Sequence, residues 1–540
     1  MSTTRTPPVP RGQALILVAL AFVGLAAFIG LAVDAGILFS QVGHLRRATD
    51  AAALAAANQF REGRTGNEIQ AAANEFINLN SLNPATAQVF VCRDYFNPAT
   101  TPPSMHDPSL CPPAGDPPRK YVRVRAQMPV DFAFLPIVGW RSIDIFAESI
   151  SEAASIDLVL VLDTSASMTW DLCSDGIDND AWKEIAMTGA ADGVADDCVP
   201  PAGTGKVGAV AEDDPLVCNE NRNQRISTGD SVTYPPANDC HPFEEVRDAS
   251  KGLLGQMRFP FDRMAVITFA QLANIEINLQ DGDNWFDVNQ ALDYISVSPE
   301  PPVGIEPCRP DRWGTGIDPR GCTSTNTAEG LRYSGNQFGL YKRDEAVWIV
   351  IILSDGGANA ALRTGGNPAV ADDWVCPGST GNPDWVQPYC RDERGATRHA
   401  GGDPMYDVED AARDFADFVG CPDSMSPQPA ACALPGQGAV IFSIGLGDRL
   451  INPPASTCDA STYGGFEPSG TCDPDLGEQL LRYIAGVGDD NDPGTPASQD
   501  PCNGVAPGNS CGNYYFSPTG SGLMDVFEAI ASRIFTRLTH

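Results

Sequence analysis

The residues best suited to chemistry are three oxygen-bearing side chains that occupy every second position after an apolar run. Asp163, Ser165 and Ser167 directly follow the stretch IDLVLVL. A carboxylate and two hydroxyls are hard oxygen ligands of the kind that Mg²⁺, Mn²⁺ and Ca²⁺ prefer. A serine-rich turn after a strand would explain the same short pattern without a metal, so this motif alone decides nothing.

Two further oxygen-bearing residues lie far away in the chain. Thr325 stands just before a helical pattern, and Asp355 follows the apolar run VWIVIILS. Because ligands of such folds bind at the carboxyl edge of the sheet, Asp163, Ser165 and Ser167 can converge there. Thr325 and Asp355 strengthen the interpretation of the first motif as part of a metal site.

The segments that must position these residues show the pattern of a sheet buried on both faces. From residue 156 onward, continuously apolar runs alternate with amphipathic helical stretches. The predicted strands are residues 156–163, 264–270, 347–355, 439–448 and 514–518. The helical apolar faces are Val246, Ala249, Leu253 and Met257, and Leu523, Val526, Phe527, Ile530 and Ile534. The predicted fold class is α/β, with a doubly wound, mostly parallel sheet.

The three segments that carry these oxygen-bearing residues together resemble the metal-ion-dependent adhesion site of von Willebrand factor A (vWA) domains. The resemblance covers about residues 156–538 of a domain assigned to residues 156–540, and it implies a Rossmann-like fold. It implies the metal ligands Asp163, Ser165, Ser167, Thr325 and Asp355, some directly and some through water. The implied cofactor is Mg²⁺, or Mn²⁺ or Ca²⁺, with one coordination position open to an acidic side chain of a protein partner.

Four long segments are interpreted as insertions into this domain. They cover residues 169–241, 299–323, 359–404 and 449–512, and they hold most of the cysteines. They leave strand ends or loops on the expected metal face, so we interpret them as the surface that recognises the partner. The alternative is that they only shield or stabilise the domain.

The first insertion contains a candidate for an additional Ca²⁺ site. Its stretches CSDGIDND and ADGVADDC resemble the two halves of an Asp-rich calcium loop, although residues 181–190 break the pattern. The candidate ligands are Asp175, Asp178, Asp180, Asp192, Asp196 and Asp197. An acidic loop closed by a disulfide is the alternative.

The sixteen cysteines all lie between Cys92 and Cys511. Sequence leaves their connectivity open, but dense cysteine in loops indicates disulfides and an oxidising compartment. They fall into neighbouring pairs: Cys92 and Cys111, Cys173 and Cys198, Cys218 and Cys240, Cys308 and Cys322, Cys376 and Cys390, Cys421 and Cys432, Cys458 and Cys472, Cys502 and Cys511.

Residues 14–36 predict a transmembrane helix. Residues 14–33 carry no charge, and as a helix they would span about 30 Å, the thickness of a hydrocarbon core. The cysteines place residues 1–13 in the cytoplasm and the bulk of the chain outside the cell membrane. After the span we expect a helical stalk at residues 37–60 and a small α+β membrane-proximal domain at residues 61–150.

The N-terminal segment resembles that of Tad (tight adherence) Flp-pilus assembly proteins of the TadE/TadG type. The resemblance rests on the Arg11-Gly12 start, Asp34 after the span and Asp50 before the alanine-rich run. It implies a bacterial protein linked to Tad/Flp pilus assembly or surface attachment, with pilus-assembly proteins among its partners.

Composition argues against two other classes of function. A net charge of -34 disfavours contact with nucleic acid. None of the five histidines, which are His44, His106, His241, His399 and His540, lies in a catalytic motif. We therefore expect metal-dependent adhesion and no enzyme activity. The alternative is a structural pilus or envelope component whose vWA domain docks another assembly subunit, without an adhesive role.

Overall fold

The computed structural model describes residues 13–61, 63–80, 86–113, 115–165, 168, 242–295, 325–358, 360–363, 365–366, 375, 398–401, 406–432, 435–447, 450–451 and 476–537. The chain divides into two compact units, Met1–Ser155 and Ile156–His540.

The first unit begins with one long helix, α1 (Gln13–Arg61). Among the described residues, α1 is the one helix long and apolar enough to cross a membrane. Its second half, expected as a stalk, buries one face at positions three and four apart. The buried residues of this half include Leu45, Ala48, Thr49, Ala52, Ala53, Ala56, Ala57 and Phe60. This half of α1 therefore forms part of the core of the first unit.

A second helix and a three-stranded antiparallel sheet complete the first unit. Helix α2 (Gly66–Leu79) starts with a capping box in which Thr65 and Glu68 satisfy each other's backbone N–H groups. The sheet has the order β1 (Thr86–Val91), β2 (Lys120–Asp131) and β3 (Ser142–Ala153). Alternate residues of β2 are buried, so one face of the sheet packs on the helices.

The second unit is built around a six-stranded sheet in the described part of the chain. Its strands are β4 (Ser155–Asp163), β5 (Arg263–Phe269), β6 (Ala273–Ile277), β7 (Ala346–Ser354), β8 (Val440–Leu446) and β9 (Tyr514–Ser517). The order is β6-β5-β4-β7-β8-β9, and β6 runs antiparallel to β5. Strand β4 is buried at every position, which explains its unbroken apolar sequence.

Helices cover both faces of this sheet. Residues of α3 (Phe243–Leu254), α4 (Trp285–Asp293) and α8 (Leu523–Arg537) join one buried apolar cluster. Residues of α5 (Thr327–Tyr341), α6 (Val408–Gly420) and α7 (Leu476–Asp490) join the cluster on the opposite face. The predicted doubly wound α/β fold is therefore confirmed.

The strand order creates a switch point between β4 and β7. From β4 the chain adds strands towards β6 on one side, and from β7 it adds strands towards β9 on the other. Ligands of doubly wound sheets bind where this order reverses, outside the carboxyl ends of the strands. The switch point thus marks the place to look for a site.

Part of one predicted insertion belongs to the framework of the fold. Helix α7 lies inside residues 449–512, and its residues Leu480, Leu481, Ile484 and Ala485 are buried against the sheet. Its apolar positions are spaced three and four apart, which is a helical signal. Because glycine, proline and cysteine are frequent in the flanking sequence, the whole of residues 449–512 was interpreted as an insertion.

Disulfides close three of the predicted loops. Cys92 bonds to Cys111, Cys421 to Cys432 and Cys502 to Cys511. These pairings are confirmed. The remaining predicted pairs lie outside the described residues.

Candidate metal centre

Asp163 is the last residue of β4, and its side chain is fully buried. Its Oδ1 accepts a hydrogen bond from the backbone N–H of Ser165 at 2.8 Å. Its Oδ2 accepts one from the hydroxyl of Ser354 at 2.6 Å. Because Ser354 is the last residue of β7, this contact holds the carboxyl ends of β4 and β7 side by side.

Ser165 is positioned by the turn that follows β4. The backbone N–H and the hydroxyl of Thr164 donate to the carbonyl of Phe269, the last residue of β5, at 2.8 and 3.2 Å. Ser165 is buried, and its hydroxyl is hydrogen-bonded to the carboxylate of Asp163. A hydroxyl and a carboxylate therefore meet over the end of β4.

Thr325 reaches the same edge from a distant segment. The backbone N–H of Asn326 donates to the carbonyl of Ala270 at 2.8 Å, and its side-chain amide donates to the carbonyl of Gln271 at 2.9 Å. The carbonyl of Thr325 accepts from the N–H of Ala360 at 3.3 Å. These contacts fix Thr325 beside the end of β5, next to the chain that leaves β7.

Asp355 follows β7 directly and is 5% exposed. The turn after it is held by Ser354, whose hydroxyl accepts a hydrogen bond from the backbone N–H of Gly356 at 3.4 Å. Strands β5, β4 and β7 are neighbours in the sheet, so the structure brings together Asp163, Ser165, Thr325 and Asp355 at one edge. Ser167, the remaining predicted ligand, lies outside the described residues.

The electrostatics of Asp163 differ from those of the other carboxylate buried on β4. Asp157 is paired with Arg263 at 2.7 Å and with Arg343 at 2.5 Å. Among the described residues, neither Lys nor Arg pairs with Asp163, and burial raises its pKa to about 6 although Ser354 and Ser165 donate to it. A buried carboxylate without a cationic partner is unfavourable, and a bound cation would relieve that cost.

The donor set fits a hard divalent cation. Asp163, Ser165, Thr325 and Asp355 present only carboxylate and hydroxyl oxygens, which suit Mg²⁺, Mn²⁺ or Ca²⁺ better than a metal that prefers sulfur or nitrogen. The pKa of Asp163 also means that at neutral pH its carboxylate is mostly ionised and available for coordination. Their role as ligands stays a prediction.

Sequence reasoning missed two residues that position the site. Ser354 holds the carboxylate of Asp163, and Asn326 holds Thr325 against the end of β5. Each is the immediate chain neighbour of a predicted ligand. Ser354 precedes Asp355 at the end of β7, and Asn326 follows Thr325 just before α5. A polar residue closing a wholly apolar strand, as Ser354 does, is the signal that could have identified it.

Two other groups of ligand-type residues stand apart from this edge of the sheet. The six aspartates of the candidate calcium loop lie outside the described residues. Cys92, Asp94 and Cys111 bring ligand-type atoms within 4.8 Å of one another. The two cysteines are bonded to each other, so their thiolates are not available to a metal.

Comparison with known families identifies the N-terminal segment. Residues 12–59 match the family described as "Putative Flp pilus-assembly TadE/G-like". The segment is TadE/G-like. This confirms the resemblance carried by Arg11-Gly12, Asp34 and Asp50. No relative was found among curated proteins.

Solved structures to which the chain is similar include a vWF domain and a protein with a MIDAS motif. The vWF domain of the type V pili tip protein Mfa5 from Porphyromonas gingivalis is 12% identical, with a TM-score of 0.31, over 72% of this chain and 97% of that one. BatB from Bacteroides thetaiotaomicron is 12% identical, with a TM-score of 0.29, over 71% and 98%. Proximal thread matrix protein 1 from the mussel byssus, solved with a zinc-occupied MIDAS motif, is 12% identical, with a TM-score of 0.28. That alignment covers 71% of this chain and 46% of the mussel chain, so the chain spans about half the length of the mussel protein.

Proposed function

We propose that this chain is a membrane-anchored, extracytoplasmic protein that holds a divalent cation at the carboxyl edge of its second unit and uses it to bind a protein partner. The residues that would hold the cation are Asp163, Ser165, Ser167, Thr325 and Asp355. When bound, the cation supplies an exchangeable coordination position for an acidic side chain of the partner. The proposed activity is binding and not catalysis.

The observation that carries this proposal is the position of two buried aspartates at the switch point. Asp163 and Asp355 end the two neighbouring strands β4 and β7, and Ser354 bridges those ends at 2.6 Å from Asp163. The hydroxyls of Ser165 and Thr325 belong to segments fixed on the adjacent strand ends. An all-oxygen group at this edge supports cation binding more directly than any other feature of the described residues.

The N-terminal helix and the disulfides support the location. An apolar helix carrying a TadE/G-like segment anchors the chain in a membrane. Disulfides persist in oxidising compartments, and bonded cysteines occur in both units. We therefore place the N-terminus in the cytoplasm and both units outside the cell membrane.

The TadE/G-like segment connects the proposal to pilus assembly or surface attachment. Adhesion to a foreign surface and docking of another assembly subunit use the same metal chemistry and differ in the partner. A structural role in the pilus or envelope, without adhesion, is thus the second candidate. The TadE/G-like match favours a partner among pilus-assembly proteins for this second candidate.

The test is metal-dependent binding by the full chain in detergent. Wild type and Asp163→Ala are compared for binding of Mn²⁺ and Mg²⁺ by calorimetry, and for binding to whole cells and to isolated pilus fractions. The matched control is Asp344→Ala, because Asp344 is an exposed carboxylate of the same unit, with 83% of its side chain exposed.

We expect wild type and Asp344→Ala to bind metal and to recover partner binding when Mg²⁺ is restored after chelation, and Asp163→Ala to lose both. Binding to pilus fractions but not to cells would favour the docking function. Partner binding that ignores both the metal and Asp163→Ala would overturn the proposal.

A further inference from the structure

The hairpin between β2 and β3 ends in an exposed apolar loop. The backbone N–H of Phe132 donates to the carbonyl of Arg141 at 2.9 Å and closes the loop. Between them, residues 134–140 read FLPIVGW and carry no charge. We refer to residues 134–140 as the apolar tip. Ile137, Val138 and Trp140 are 85%, 74% and 69% exposed, so the apolar tip offers a large apolar surface that the described chain does not cover.

The apolar tip is fastened to α1 by a buried carboxylate. Asp34 is 1% exposed, and its two carboxylate oxygens accept hydrogen bonds from the backbone N–H groups of Ala133 at 2.7 Å, Phe134 at 3.1 Å and Leu135 at 2.7 Å. These backbone groups open the 3₁₀ turn Leu135–Val138, where free N–H groups favour an anion. Asp34 therefore fixes the loop backbone to the helix.

A glycine brings the loop into contact with the apolar span itself. A Cβ on Gly30 would lie 2.9 Å from the Cβ of Phe134, so only glycine permits this close approach. Gly30 lies about one helical turn before Asp34, inside the uncharged run of residues 14–33. The apolar tip thus lies beside the last turn of the span.

The part of α1 around Gly30 also carries exposed apolar side chains. On α1, Phe28, Ile29 and Val33 are 70%, 52% and 41% exposed. A bilayer that covers these side chains continues onto the neighbouring Ile137 and Val138. Tryptophan is enriched at the boundary between hydrocarbon and headgroups, which suits Trp140. The charged residues Asp131 and Arg141 flank the loop, as expected where the chain returns to water.

We propose that the apolar tip inserts into the outer leaflet of the bilayer and forms a second membrane contact of the first unit. The inference rests on the membrane anchoring in the proposed function and is independent of the metal site. Asp34 can lie at the membrane boundary because protein N–H groups, and not water, satisfy its carboxylate. Two contacts, the helix and the apolar tip, then restrain the tilt and the rotation of this unit on the membrane.

The test measures contact between Trp140 and lipid in the full chain reconstituted into phosphatidylcholine vesicles. Tryptophan fluorescence is compared in ordinary vesicles and in vesicles of phosphatidylcholine brominated on the acyl chains, which quenches only nearby indoles. Trp140→Phe is compared with Trp285→Phe, a control that removes a tryptophan of the second unit with 49% exposure. Flotation of the vesicles measures anchoring separately.

We expect brominated lipid to quench part of the wild-type emission, Trp285→Phe to retain that quenched component and Trp140→Phe to lose most of it. The double variant Ile137→Ser, Val138→Ser should still float with the vesicles, while the quenching of Trp140 decreases at least twofold. Equal quenching of wild type and Trp140→Phe would overturn the proposal.

Two further outcomes also count against it. In the first, brominated lipid does not quench Trp140, and the apolar tip cross-links to a second copy or to another protein. That result would assign this surface to a protein partner. Failure of wild type to float would remove the membrane anchor itself, and with it that part of the proposed function. Flotation without quenching of Trp140 leaves the anchor standing and refutes only the inserted tip.

Discussion

The hydroxyl of Ser354 determines how the buried carboxylate of Asp163 is presented. It donates to Oδ2 of Asp163 at 2.6 Å from the end of the neighbouring strand. Groups that orient a ligand from behind tune the affinity of a metal site nearly as strongly as the ligands themselves. The candidate site thus depends on a residue that is not one of its predicted ligands.

We predict that Ser354→Ala weakens Mn²⁺ binding about tenfold or more, because the carboxylate loses the donor that orients it. Titration calorimetry of the full chain measures the dissociation constant. The matched control is Ser250→Ala, since Ser250 is also fully buried and donates to a backbone carbonyl of α3, at Val246, at 2.6 Å. An unchanged affinity in Ser354→Ala would show that Asp163 does not need this contact.

The raised pKa of Asp163 predicts a pH dependence of metal binding. Protons and metal compete for the same carboxylate, and the pKa in the metal-free chain is about 6. We expect the affinity to be nearly constant above pH 7 and about tenfold weaker at pH 5 than at pH 7. Calorimetry at both pH values checks this, and an affinity that is flat down to pH 5 would contradict a raised pKa of a ligating Asp163.

The same pKa predicts the opposite trend for stability without metal. The folded chain then holds the proton of Asp163 more tightly than the unfolded chain, whose Asp pKa is near 3.8. The contribution of Asp163 to the free energy of unfolding should therefore fall as the pH rises from about 4 to about 6. Denaturant unfolding in chelator measures it, with Asp163→Asn as the variant in which this contribution disappears.

At the scale of elements, the amino ends of three strands are held together by one buried ion cluster. Asp157 of β4 accepts from Arg263 of β5 at 2.9 and 2.7 Å and from Arg343 before β7 at 2.5 Å. Arg263 and Arg343 also donate to the carbonyls of Tyr341 and Phe261, at 2.6 and 2.9 Å. The cluster fixes the strands at the edge opposite to the candidate metal centre.

We predict that Asp157→Ala lowers the free energy of unfolding by about 3–5 kcal/mol, because the buried guanidinium of Arg343 and the partly buried one of Arg263 lose their counter-charge. Equilibrium unfolding in urea measures the change, and Asp344→Ala should stay within about 0.5 kcal/mol of wild type. Metal affinity of the folded Asp157→Ala chain should be unchanged, since Asp157 lies at the other end of β4. A loss below about 1 kcal/mol would mean that water replaces the carboxylate.

Local patterns identified the long elements and missed the short or interrupted ones. The central strands β4 and β7 are apolar throughout because helices cover both of their faces, and that pattern is visible in the sequence. Strand β6 has only intermediate and exposed positions, because it lies at the antiparallel edge of the sheet. Helix α7 was not predicted because cysteine- and glycine-rich sequence flanks it, although its apolar face is buried.

At the scale of the whole molecule, the proposed topology makes a direct prediction in cells. A tag at the C-terminus should be digested by protease added to intact spheroplasts, and a tag at the N-terminus should be protected until the membrane is opened. A cytoplasmic protein serves as the control for leakage. Protection of the C-terminal tag would place the disulfide-bonded units in the cytoplasm and contradict the proposed location.

The sequence by itself determined the properties that repeat along the chain or occur within one segment. The uncharged run of α1, the apolar strands, the neighbouring cysteines and the alternation of Asp163 with Ser165 are local patterns, so each is visible within one stretch of the chain. The fold class, the TadE/G-like segment and three of the disulfides could be predicted for this reason.

Tertiary structure alone decided the contacts between segments far apart in sequence. Three such contacts join residues about 50 to 190 positions apart. They are the hydrogen bonds from Ser354 to Asp163, from Asn326 to the chain after β5, and from the loop after β2 to Asp34. No local periodicity encodes such pairs, because strand order and loop closure bring them together. The candidate metal centre and the apolar tip both depend on contacts of this kind.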